Sequence, residues 1–138
     1  MTATEIVLAA LRASTSGDTQ QITDLYAPDV RGWSAGQLIS SRDELLSDAG
    51  IRATGLSDVR LDASPVELPD GTVVAEWRLT ARHTGSLKLD DDVVIPATGR
   101  SLDLRGALFA RVDQGRISEF RQYWDEADLF EQLGLLPA

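Results

Sequence analysis

Two side chains in this sequence have the chemistry for proton transfer. Histidine is the only side-chain type whose unperturbed pKa lies near neutrality, and His83 is the single histidine of the chain. Asp125 directly follows Tyr123 and Trp124. A carboxylate that faces an apolar cavity at the end of a strand is well suited to act as a general acid or base, because burial disfavours its charged form. We therefore take His83 and Asp125 as the catalytic candidates.

Each of these residues also has a purely structural explanation. Asp125 precedes a helical pattern and would serve as its N-cap, which stabilises a helix by about 1 kcal/mol. His83 stands near the end of a predicted strand, where its ring could bond the backbone or face solvent. From the sequence both explanations stay open, and for Asp125 the structural and chemical roles are compatible.

The composition excludes several other kinds of site. The chain has no cysteine and one histidine, so we predict no disulfide, no cysteine nucleophile and no metal. Thirteen basic and 22 acidic residues give a net charge of −9, which disfavours nucleic-acid phosphates and anionic membranes as partners. Only Lys88 among the basic residues is lysine, which suggests a GC-rich bacterial genome. The first residues lack the basic start of a signal peptide, which predicts a cytoplasmic protein.

The elements that must position the candidates can be predicted from periodicity and capping signals. The length of 138 residues and the 43% hydrophobic content suit a single domain over residues 1–138. We predict a first helix over residues 4–16, a second that begins after Asp18 and ends at Pro28, and a third after the capping box of residues 41–44. Residues 30–39 read as irregular and residues 85–99 as a loop. Strands are predicted over residues 72–83, 101–112 and 116–124 and from residue 59, followed by a helix over residues 125–134.

This order of elements predicts an α+β fold in which helices cover one face of a curved, mainly antiparallel sheet and leave an internal pocket. Strand alternation places Trp77, Leu79 and His83 on one largely apolar face that would point into the pocket. Arg121 shares the parity of Asp125 along the last strand and would steady an enolate if that parity faces inward. A bulge would break this count. We expect the pocket to be lined by Tyr26, Trp33, Ser34, Trp77, Leu79, Leu104, Leu108, Arg121 and Tyr123.

Five short motifs follow one another in the C-terminal half: ARHTG at residues 81–85, ATGR at residues 97–100, the QGRI turn, QYWD at residues 122–125 and the final QLG. In this order they resemble the SnoaL-like polyketide cyclases of the nuclear-transport-factor-2-like, or ketosteroid-isomerase-like, superfamily. The resemblance implies a cone-shaped, cystatin-like α+β barrel and a homodimer. It also implies aldol-type ring closure of a hydrophobic substrate, an aromatic polyketide of antibiotic biosynthesis, without metal or cofactor. Asp125 would be the acid/base, and His83 would lie in the pocket.

The same superfamily leaves other functions open. Relatives that open epoxides use an Asp-Arg-Asp triad, and Trp77 and Leu79 stand where the arginine and the first aspartate would be. Limonene-type epoxide hydrolysis is therefore disfavoured. An aspartate and a histidine in a dry pocket would equally suit a related isomerase, dehydratase or hydrolase, or a protein that binds a small ligand without changing it.

Overall fold

The structure, a computed structural model, describes residues 1–35, 37–90 and 92–136. No helix in these ranges is long and apolar enough to cross a membrane. The elements, in chain order, are α1 (Ala3–Ser16), α2 (Thr19–Leu25), β1 (Tyr26–Ser34), β2 (Gln37–Ile39), α3 (Arg42–Gly55), β3 (Leu56–Glu67), β4 (Val73–His83), β5 (Leu87–Asp90), β6 (Val93–Ile95), β7 (Ser101–Asp113), β8 (Arg116–Trp124) and α4 (Glu126–Gln132).

Capping residues mark both ends of α1 and the start of α2. Thr2 caps α1 by accepting a hydrogen bond from the Glu5 backbone N–H, and Gly17 ends it with a left-handed φ of 76°. The Asp18 carboxylate accepts from the Gln21 N–H at 3.1 Å, which confirms the predicted start of α2. At α3 the capping box forms differently, because Ser41 makes no side-chain cap bond and the Glu44 carboxylate instead accepts from Ser40.

The region between α2 and α3 was predicted wrongly. Helix α2 ends at Leu25 rather than at Pro28, and the stretch expected to be irregular contains β1 and β2. Strand β1 lies beside β8 in parallel and pairs with β2 on its other edge. Pro28 is tolerated because the β1–β8 register is interrupted between Tyr26 and Arg31, where no ladder N–H is needed.

The main sheet has the order β2-β1-β8-β7-β4-β3. The β1–β8 pair is parallel and the other neighbours are antiparallel, so the predicted α+β fold with a curved, mainly antiparallel sheet is confirmed. The sheet is open, with β2 and β3 as edges, and is not closed as a barrel. Part of the predicted loop over residues 85–99 forms the separate β5–β6 hairpin.

The two faces of the sheet differ sharply in burial. On β4, alternate side chains from Val73 to His83 are buried against the helices, and the side chains between them include the exposed Glu76, Arg78 and Arg82. We call these the helix-facing side and the outer side. The core is formed by the helix-facing side together with one face of α1 and parts of α2, α3 and α4. On the outer side Arg78 and Asp103 form a two-armed ion pair of 2.7 and 2.9 Å.

Candidate functional site

A row of three register partners on the helix-facing side defines one candidate site. Trp77 of β4 pairs with Gly106 of β7, which pairs with Trp124 of β8. A Cβ at Gly106 would overlap the Trp77 ring, so only glycine lets the indole lie across β7. The Trp77 Nε1 atom is buried and has no hydrogen-bond partner among the described residues. An N–H group left in this way is a donor available to a ligand or to water.

Polar side chains stand in the neighbouring row. Ser34 pairs with Gln122, and Gln122 pairs with the buried Leu108, so all three lie on the helix-facing side. Ser34 and Gln122 are both partly exposed. We call the group formed by Ser34, Trp77, Gln122, Trp124 and the adjoining Asp125 the β8-end site. It combines an indole N–H, an amide, a hydroxyl and a carboxylate.

Asp125 is the N-cap of α4, as the structural explanation predicted. Its Oδ1 accepts from the backbone N–H of Asp128 at 3.1 Å. The second carboxylate oxygen has no hydrogen-bond partner among the described residues, and the residue is exposed rather than enclosed. The carboxylate can therefore cap the helix with one oxygen while the other remains available.

His83 lies on the helix-facing side, as strand alternation predicted. It has no exposed surface. Its Nδ1 lies 2.9 Å from the Thr98 hydroxyl, and the Thr98 backbone N–H donates to the same nitrogen at 3.3 Å. The Nε2 atom is buried without a partner among the described residues. Within those residues no three histidine, aspartate or glutamate side chains form a group that could hold a metal ion.

The two catalytic candidates stand at different levels of the sheet. The backbone N–H of His83 donates to the carbonyl of Arg100, whereas Asp125 follows Trp124, the partner of Gly106. Asp125 follows Trp124 toward the level of Arg105, which is five residues from Arg100 in the chain, or about 17 Å along an extended strand. One water molecule cannot bridge levels this far apart. We therefore do not expect His83 and Asp125 to share one proton-transfer step.

Three of the predicted lining residues lie on the outer side. Arg121 pairs with Phe109 and its guanidinium stacks 5.3 Å from that ring, and the Trp33 and Tyr123 rings are 5.0 Å apart. The expected inward direction of Arg121 and Tyr123 is wrong, because the buried Phe120 sets the parity of β8 and alternation then sends residues 121 and 123 outward. Trp33 is the register partner of Arg121 in β1, so it lies on the outer side as well.

The remaining predicted lining residues are part of the packed core. Leu79, Leu104 and Leu108 are buried on the helix-facing side. Tyr26 is buried at the start of β1, where its hydroxyl bonds with the Ser14 side chain near Arg52. Burial raises the pKa of the Tyr26 phenol, and the Ser14 bond and Arg52 oppose this more weakly. The Arg52 Nε donates to the Ser14 carbonyl at 3.1 Å, which ties α3 to α1.

Gln122 and Trp124 are the residues of the β8-end site that the sequence analysis missed. The signal was present in β8, where Ile117 and Phe120 are the large apolar residues before the aromatic end. Setting the inward parity from Phe120 rather than from Asp125 would have selected Gln122 and Trp124. The alternation breaks because the β7–β8 register shifts at Arg111 and Val112.

Two open grooves lie away from His83 and from the β8-end site. One, of about 450 Å³, is on the outer side and is lined by Trp33, Phe109 and the arginines 31, 111 and 121, among others. The other, of about 510 Å³, is between α3 and the β5–β6 hairpin. Neither is lined by His83, Trp77 or Asp125.

Comparison with known structures defines the class of fold. A candidate polyketide cyclase from Pseudomonas putida is 24% identical, with a TM-score of 0.79 over 96% of this chain and 98% of its own. A candidate hydroxylase from Streptomyces galilaeus is 21% identical, with a TM-score of 0.78 over 97% of this chain and 82% of its own. A ketosteroid-isomerase-like protein from Catenulispora acidiphila, in complex with trimethylamine, is 17% identical, with a TM-score of 0.73 over 98% and 96%. The chain thus has the nuclear-transport-factor-2-like, ketosteroid-isomerase-like fold.

The family is defined by sequence. The model of the SnoaL-like polyketide cyclase family matches residues 4–133, which is nearly the whole chain. The protein therefore belongs to the SnoaL-like polyketide cyclase family, a group of small-molecule pocket proteins. No curated protein shows a significant match to the chain.

Proposed function

We propose that this protein is a cyclase that closes a ring in a hydrophobic, polyketide-like substrate by metal- and cofactor-free acid/base chemistry at the β8-end site. The observation that carries the proposal is the buried, unpartnered indole N–H of Trp77 in the row that ends next to Asp125. An N–H donor and a carboxylate at the same end of β8 are the kinds of group that enolate chemistry requires.

In this mechanism Asp125 removes a proton from the carbon next to a substrate carbonyl. The negative charge passes to the carbonyl oxygen, where the Trp77 N–H and the Gln122 amide stabilise it by hydrogen bonds. The enolate carbon then attacks a second carbonyl of the same molecule, and a carbon–carbon bond closes the ring. The proton held by Asp125 returns to the new alkoxide, so that the carboxylate is regenerated.

Under the same proposal, the substrate is an aromatic polyketide of bacterial antibiotic biosynthesis, and the protein acts in the cytoplasm as a homodimer. Support for the dimer comes from one row of register partners across the outer side: Leu38, Trp33, Arg121, Phe109, Val74 and Val66. Leu38 is 77% and Val66 59% exposed, and exposed apolar rows of this kind mark protein interfaces.

A second candidate function is ligand binding without catalysis. Asp125 is exposed and already caps α4, so its carboxylate is accounted for without any reaction. The buried N–H groups of Trp77 and His83 would then serve only to hold a ligand with acceptor oxygens.

Substitution of Asp125→Asn separates the two functions. Asparagine caps a helix as well as aspartate does, so the melting temperature should stay close to that of the native protein. An amide cannot act as a base at neutral pH, so turnover of polyketide-like methyl esters and aldehydes should fall by roughly a hundredfold or more. Thermal unfolding and product formation by mass spectrometry measure the two effects.

The chain offers a matched control in Asp18, which caps α2 in the same way. Asp18→Asn should leave both stability and turnover near native. Asp125→Ala should lose the cap as well as activity, at a cost of about 1 kcal/mol in unfolding free energy. Full turnover in a well-folded Asp125→Asn protein would exclude Asp125 as the base and leave the binding function.

A further inference from the structure

The hydrogen bonds around His83 determine which of its ring nitrogens carries the proton. The Thr98 backbone N–H donates to Nδ1 at 3.3 Å, and a backbone N–H has no acceptor capacity. The Arg100 backbone N–H donates to the Thr98 hydroxyl oxygen at 3.2 Å, which leaves the hydroxyl proton free to point at Nδ1, 2.9 Å away. Both Thr98 groups therefore act as donors toward Nδ1, and Nδ1 must be the acceptor.

A neutral imidazole that accepts at Nδ1 carries its proton on Nε2. That Nε2–H group is buried without a partner among the described residues, in a side chain with no exposed surface. Ala81 on the same strand face and Leu56, the register partner of His83, are apolar neighbours. The ring thus offers a single donor to the helix-facing side and no acceptor.

We propose that His83 is a neutral hydrogen-bond donor that holds a carbonyl oxygen of the bound ligand, and that Thr98 is the positioning residue that keeps its proton on Nε2. The ligand group must be an acceptor, and an apolar setting favours a neutral carbonyl over a carboxylate, whose burial would be costly. The part that concerns the ligand rests on the proposed function, since it requires a ligand on the helix-facing side. The part that concerns Thr98 does not.

This assignment separates His83 from the proton-transfer step. A ring whose only acceptor nitrogen is occupied by Thr98 cannot remove a proton from carbon. His83 also lies about 17 Å of extended strand away from the level of Asp125. It would bind a further carbonyl of an extended ligand, away from the two carbonyls that react at the β8-end site.

The single histidine makes the tautomer directly measurable by NMR of ¹⁵N-labelled protein. At neutral pH the ring should show a protonated Nε2 and an unprotonated Nδ1. In Thr98→Val the hydroxyl donor is lost, so the Nδ1 resonance should move and Nδ1–H tautomer should appear, whereas Thr98→Ser should restore the native spectrum. Thr98 is exposed, so neither change disturbs the core. A native Nδ1–H tautomer, or a Thr98→Val spectrum identical to the native one, would overturn the role of Thr98.

Paired probes test the ligand group. Cyclohexanone and 9-fluorenone should shift the Nε2–H proton downfield, and cyclohexane and fluorene, which lack the oxygen, should not. His83→Phe should weaken ketone binding by roughly three- to tenfold, the contribution of one hydrogen bond, with hydrocarbon binding unchanged. An Nε2–H that responds to neither ketone and contacts only water would show an internal water in place of the ligand, and would overturn this assignment.

These results are independent of the cyclase activity. Loss of the proposed function would appear as full turnover in Asp125→Asn, with the His83 spectrum still of the Nε2–H form. Failure of the present inference would appear in the spectrum, whatever the turnover.

Discussion

At the scale of single residues, buried polar groups lie at the β8-end site, at His83 and in a further cluster under the helices. In that cluster Tyr26, Ser14 and Arg52 connect β1, α1 and α3, and Asp48 lies close enough to Arg52 to influence it. Burial lowers the pKa of Arg52 and raises the pKa of Tyr26 and of Asp48. Burial thus favours the neutral forms of these three side chains, so the stability of the protein should depend on pH.

Tyr26 should make the protein less stable in alkali. Because burial raises its folded pKa above the ordinary value for tyrosine, the unfolded chain loses the phenolic proton first. The contribution of Tyr26 to the free energy of unfolding is complete below the ordinary pKa of tyrosine. It is lost as the pH rises from that pKa through the higher pKa of the folded state. Denaturant unfolding between neutral and strongly alkaline pH should show this loss.

The other tyrosine serves as control. Tyr26→Phe should flatten the alkaline decline, whereas Tyr123→Phe, at an exposed position, should leave it unchanged. In the Tyr123→Phe protein the ultraviolet absorbance follows Tyr26 alone, because the chain has two tyrosines. Ionisation of that phenol at the ordinary value would contradict the raised pKa.

At the scale of elements, the site depends on how closely β4, β7 and β8 approach one another. Gly106 is the point where the Trp77 indole crosses β7, and Gly32 is a similar point under the Phe120 ring. At the end of the same sheet, Gln132 of α4 bonds both the backbone N–H and the carbonyl of Asp103, at 2.7 and 2.9 Å. These contacts keep α4 against β7 where β8 has ended.

Substitution of Gly106→Ala should destabilise the protein by about 1 to 3 kcal/mol, the usual cost of overpacking. The added Cβ would meet the Trp77 ring and the Tyr123 carbonyl, and the carbonyl is backbone that cannot move aside cheaply. It should also displace the Trp77 N–H and change the tryptophan fluorescence. Urea unfolding measures the change in free energy.

Gly50→Ala is the matched control for Gly106→Ala. It lies inside α3 with nothing within 4 Å of an added Cβ, so the higher helix propensity of alanine should raise stability by roughly 0.5 to 1 kcal/mol. Equal effects of the two substitutions would show that the approach of Trp77 to β7 does not constrain position 106.

At the scale of the whole molecule, the outer side combines one apolar row with charges of both signs. Arg31, Glu119 and Arg111 form the adjacent row, so a second copy could set arginine against carboxylate around the apolar contacts. This suits a symmetric homodimer better than a strongly charged partner.

We expect light scattering at micromolar concentration to show a dimer and Leu38→Glu with Val66→Glu to yield a folded monomer. These two residues end the apolar row, and both are exposed, so the charges should disturb only the contact between copies. Val94→Glu, 54% exposed on β6 and outside the row, is the matched control and should remain dimeric. A native monomer would contradict the proposed pairing.

Local signals in the sequence were sufficient for much of the fold. Capping residues and a helical face predicted α1 and α2, and alternation predicted β4, β7 and β8 with the inward direction of His83. The cap at Asp125 followed from its place before a helical pattern. These features depend on residues within a few positions of one another, which is why periodicity and caps reveal them.

Other features required the tertiary structure, because they depend on pairing between distant strands. Strand β1 forms in spite of Pro28 because β8, some ninety residues later, provides its neighbour. The bulge between β7 and β8 sets which side chains of β8 turn inward, so it places Gln122 at the site and Arg121 outside. The distance between His83 and Asp125 likewise follows from the β4–β7–β8 register. Local patterns thus identify the family, most of the helices and the candidate chemical groups, whereas the register of the folded sheet fixes which of those groups lie together.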